Sequence, residues 1–88
     1  MPEAMYAEMR SIITSNLLQQ GTLTVPRILA LLKAPDLSWS ALPLRDKYIG
    51  LFVKLACGKA KHSKLEPFLL TEKRDAANKI VVELANHH

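Results

Sequence analysis

The stretch Leu44–Cys57 constrains this chain more than any other. Leu44, Tyr48, Leu51, Phe52 and Leu55 fall on one stripe at helical spacing, and Ile49, Val53 and Ala56 widen it. A helix apolar over that much of its circumference belongs in the middle of a bundle. Gly50 interrupts it, at a cost of about 1 kcal/mol against alanine in a helix interior. A close crossing by a neighbouring element is the expected reason for that glycine, and Gly58 supplies the stop.

The rest of the chain reads as helices around this one. Met5, Met9, Ile12, Ile13 and Leu17 share a face of a first helix over about Glu3–Gln20, with Tyr6 and Arg10 away from its centre and Gly21 as its stop. Thr22 or Thr24 caps a second helix, whose first turn tolerates Pro26 because an N–H has no partner there. Ala34-Pro35-Asp36 ends it, since the residue before a proline resists the α region. Asp36 or Ser38 then caps one helical turn, and Pro43 closes it. Ser63-Lys64-Leu65-Glu66 has the form of a capping box and opens a short helix carrying Leu65, Phe68, Leu69 and Leu70. Thr71 caps a last helix from Glu72 to about Asn86, with Ala77, Ile80, Val81 and Leu84 facing inward. The expected fold is therefore all-α: one compact bundle of four to five helices across residues 1–88, with no strand.

Arg45–Ala56 and Arg74–Ala85 also echo one another, with Arg, Asp, Val, Leu and Ala recurring at matching places. A shorter apolar segment precedes each copy, Val25–Leu29 and Leu65–Leu69. A short helix, a break and a longer helix, repeated, is the pattern of stacked helical units that build binding surfaces. Val25–Asp36 resembles the second helix and Pro-Asp turn of armadillo and HEAT repeats, and Phe52–Ala56 resembles the end of their third helix. The likeness covers about residues 21–58 well and 65–86 poorly. It implies a helical stack with a binding groove and names no partner. Such arrays need about three units, so two and a half imply a globularised miniature, a fragment or an oligomer.

With 49% hydrophobic and 23% charged residues, the chain has the composition of a folded domain. No apolar run approaches the ~20 residues that cross a bilayer. A lone Cys57 excludes an internal disulfide framework and fits a reducing, intracellular (cytoplasmic) setting. The net charge of +4 is concentrated. Arg45, Lys47, Lys54, Lys59, Lys61 and Lys64 are opposed over their span only by Asp46. Such a focus attracts acidic proteins or phosphate backbones, although lysines past a helix C-terminus also offset its dipole.

Catalysis finds little support. His62, His87 and His88 have no nucleophile beside them in a motif such as Gly-x-Ser-x-Gly, and the acidic residues are scattered. Cys57 and His62 match no structural zinc spacing, and His87-His88 reads equally as native or as the stub of a tag. Gly21, Gly50 and Gly58 are isolated, so no phosphate-binding loop, and with it no nucleotide cofactor, is expected.

A non-enzymatic interaction module is the leading expectation: a small adaptor, inhibitor or regulatory protein whose partner is another protein with an acidic surface. Trp39, Lys54, Lys59, Lys61 and Lys64 are its candidate contacts. Trp39 has two readings, an interface anchor or a lid on the core between the second and third helices. The alternative is a DNA- or RNA-binding regulator using Arg45, Lys47, Lys54, Lys59, Lys61 and Lys64 against phosphates. In that reading the second helix, its Pro-Asp break and the segment Leu37–Leu42 form a helix-turn-helix. That segment lacks Arg, Asn or Gln to read base edges, and the break holds proline where a short glycine turn is more usual.

Overall fold

The computed structural model describes residues 2–60 and 70–84. Its elements run α1 (Glu3–Gln20), β1 (Leu23–Thr24), α2 (Val25–Leu32), α3 (Arg45–Ala56), β2 (Leu70–Arg74) and β3 (Ile80–Leu84). The strands form one antiparallel sheet in the order β1-β3-β2, so the last strand in sequence lies in the middle. The fold is mixed α/β, which corrects the expected all-α helical bundle.

The helices start and stop where local chemistry says. α1 ends at Gly21, whose φ of 81° lets its N–H return to the Leu17 carbonyl. Leu23 and Thr24 follow as the short strand β1. Thr24 is also the cap of α2, its side-chain oxygen accepting from the Arg27 N–H at 3.2 Å, with Pro26 in the first turn. Between α2 and α3 the chain makes successive tight turns, closed by bonds from Ser40 N–H to Leu37 O, Leu42 N–H to Trp39 O and Arg45 N–H to Leu42 O.

The expected last helix, Glu72 to Asn86, is a β-hairpin as far as it is described. Asp75 opens the turn. Its carboxylate accepts the N–H groups of Ala77 and Lys79, both at 2.9 Å, while the Asn78 N–H reaches the Asp75 carbonyl. Asn78 sits at φ 60°, the left-handed region that asparagine tolerates better than most residues. This turn sets the register Arg74↔Ile80, Glu72↔Val82, Leu70↔Leu84. Thr71, Ile80, Val81 and Val82 are β-branched and suit the pleat. The same Ala77, Ile80, Val81 and Leu84 had matched a helical period; in the hairpin Ala77 and Ile80 are exposed.

That hairpin also dissolves the internal echo. Arg45–Ala56 is a helix, whereas residues 74–84 are a turn and a strand, so the two stretches share letters and not structure. No stacked helical-repeat units are present among the described residues. The capping box at 63–66 and the short helix it was expected to open lie outside them, up to Leu70, the first residue of β2.

The core lies between the helices and one face of the sheet. Tyr6, Met9, Ile13 and Leu17 from α1 meet Ile28 and Leu32 of α2, Ile49 and Phe52 of α3, and Leu23, Leu70 and Val82 of the sheet. Tyr6, read as peripheral, is buried, its ring 5.5 Å from that of Phe52 at a tilt of 56°. α3 is not the wrapped centre of a bundle. Ile49, Phe52, Leu55 and Ala56 are buried, but Asp46, Lys47 and Lys54 are exposed and Leu44 is half out.

Candidate nucleic-acid interface

α3 has one buried face, so its opposite face is available. Lys47 and Lys54 stand seven residues apart, about 10.5 Å along the axis and within about 20° of each other around it. Neither side chain makes an ion pair or hydrogen bond among the described residues, and both residues are exposed. The two therefore define the outward line of α3. Gly50 lies beside that line. A Cβ there would meet no atom within 4 Å, so the expected close crossing by a neighbouring element is absent among the described residues.

The remaining cations of the basic focus are differently placed. Arg45 is committed locally, its Nε 3.2 Å from the Asp46 carboxylate and its Nη1 donating to the Ser40 carbonyl. Lys59, just past the end of α3, contacts the Glu72 carboxylate of β2 at 3.0 Å. This charge-assisted bond holds the Lys59 ammonium above its ordinary pKa. Lys61 and Lys64 lie outside the described residues.

The Lys59–Glu72 contact shows which side of the hairpin lies toward the end of α3. Alternation along β2 puts Arg74 on the same side as Glu72, about 6.8 Å farther out. The side of the hairpin that meets the end of α3 therefore carries Arg74 toward its tip. The Arg74 guanidinium donates to the Asn78 carbonyl at 2.9 Å, which steadies it in the turn, and Lys79 adds an exposed cation there. Lys73 faces the other way, against Glu83 at 2.8 Å. Sequence reasoning missed Arg74 and Lys79 because it placed both on a helix. The signal that finds them is Asp75-Ala76-Ala77-Asn78 just ahead of the β-branched run Ile80-Val81-Val82.

Trp39 takes the lid reading. It is fully buried, and its Nε1–H donates to the Leu32 carbonyl at 2.7 Å. Ser38 beside it donates to the Glu8 carboxylate of α1 at 2.9 Å, tying the turns to that helix. Trp39 therefore offers no surface to a partner in this conformation. The large exposed apolar side chains near the start of α3 are Leu42 and Leu44, 41% and 50% exposed.

The half-buried Cys57 thiol is pushed up from its usual pKa, first by burial and then by the Glu72 carboxylate, with Lys59 pulling the other way. Such a thiol is a poor nucleophile. Among the described residues no three His, Cys, Asp or Glu side chains come together as a metal site would need, and no helix is long and apolar enough to cross a membrane. No family model, curated protein or solved structure matches this chain.

Proposed function

We propose that this protein is a non-enzymatic, intracellular DNA-binding module that grips the duplex with the outward face of α3, flanked by the β2–β3 hairpin. The observation that carries this reading is the pair Lys47 and Lys54: exposed, on one line, and without an acidic partner among the described residues. α3 is 12 residues long, about 18 Å. A helix of ordinary diameter enters the ~12 Å major groove of B-DNA, whereas the major groove of A-form RNA is too narrow. The element order supports the reading by analogy of architecture. Two helices followed by a β-hairpin, on a sheet ordered β1-β3-β2, is the arrangement of a winged helix-turn-helix. Architecture alone does not assign function, so the charges carry the weight.

In this reading the recognition element of the helix-turn-helix is α3. Leu37–Leu42, which has no base-reading side chain, belongs to the connection between α2 and α3. The connection is longer than the usual three or four residues, and Trp39 anchors it. The outward face of α3 offers lysine and no Asn, Gln or Arg, so binding is expected to follow the backbone more than the sequence. A protein partner with an acidic surface is the second reading, favoured by Leu42 and Leu44 exposed beside the same helix.

The two readings separate in a salt titration against a short random-sequence duplex followed by fluorescence anisotropy. Backbone binding gives a log–log slope that the double variant Lys47→Gln/Lys54→Gln flattens by about 1.8, at 0.9 per lost contact. Leu42→Ser/Leu44→Ser should leave it unchanged. No binding at low ionic strength would remove the DNA reading and leave the acidic protein.

A further inference from the structure

We infer that Gly50 is the point where the sugar–phosphate backbone of one DNA strand comes against α3. This rests on the DNA reading of the same face and adds the side of the helix on which a groove wall lies. Glycine in a helix interior is unfavourable unless something needs the missing side chain. Among the described residues nothing does, because a Cβ at Gly50 meets open space. The helix is ordinary there, between Ile49 and Leu51, with no positive φ at Gly50 to require the residue.

The position around the helix says what does. Gly50 lies about 50° to one side of the Lys47–Lys54 line, and Leu51 about as far to the other. When the lysine line points into a groove, one flank of the helix faces a wall of phosphates. The Gly50 flank is the one without a bulky apolar side chain at mid-helix, so a strand can approach the helix backbone there with lysine on either side. The nearby Asp46 carboxylate, itself exposed, is paired with the Arg45 guanidinium at 3.2 Å, which offsets part of its charge toward a phosphate. Charge complementarity thus names the occupant, and the glycine names the contact point.

Gly50→Ala tests this, because the two roles of the residue pull in opposite directions. The variant should melt about 3–8 °C higher than the wild type, as a helix freed of its glycine does. It should also bind the random duplex roughly tenfold more weakly, from crowding at a close contact. Lys54→Gln is the companion, expected to reduce the salt slope with little change in melting. A Gly50→Ala protein that binds like wild type while Lys54→Gln weakens binding would overturn the contact point and keep the DNA reading. A wild type that binds no duplex at low salt overturns both. A Gly50→Ala protein that melts lower, or does not fold, assigns the glycine to the fold and overturns the inference.

Discussion

Trp39 shows how one polar atom decides what a large side chain is for. Its ring fills the core, and its Nε1–H satisfies the carbonyl of Leu32, the last residue of α2. Trp39→Phe keeps most of the volume but strands that buried carbonyl, which should cost about 1–3 kcal/mol in urea unfolding. Phe52→Ala opens a cavity beneath Tyr6 and should cost about 3–5 kcal/mol, enough to abolish a cooperative melt in so small a domain. Cys57 gives a test without unfolding. Its raised pKa leaves less thiolate at pH 8 than a free cysteine has, so iodoacetamide should react slowly. Glu72→Gln removes a carboxylate that raises that pKa and leaves Lys59, which lowers it. The pH–rate curve of alkylation should then shift to lower pH.

At the scale of elements, what could be read from the sequence divides by the range of the forces involved. α1, α2 and α3 were legible to within a residue or so because Gly21, Thr24 with Pro26, and the apolar period act within a few positions of themselves. β1 was not, because two residues carry no period and Leu23–Thr24 becomes a strand only by pairing with Val81 and Val82. The hairpin was misread for the same reason. Ile80, Val81 and Leu84 fit helical spacing as well as they fit a strand, and cross-strand pairing decides between them. The lysine line was half legible: Lys47 and Lys54 were named, but which face of α3 remains open is a fact of packing. Residues in the turn now have specific jobs. Asp75→Ala loses the acceptor of two N–H groups and should destabilise by about 1 kcal/mol. Asn78→Gly should be neutral or stabilising and Asn78→Ala destabilising, by about 1 kcal/mol, at φ 60°. Thermal melts order the three variants.

The whole molecule joins distant parts of the chain through few strands. The sheet's middle strand, β3, is flanked by β1 from near the start of the described chain and by β2 just before it. A chain emerging from the ribosome delivers its helices and both outer strands before the strand that joins them. Leu23 and Leu70, buried at the end, have no sheet neighbour until Val82 and Leu84 arrive. Synthesis and sheet formation therefore run on different clocks, with closure as a single late event. A nascent chain stalled with β3 inside the exit tunnel should show helix without protection of the β1 amides, and protection should appear together across the sheet once β3 is free.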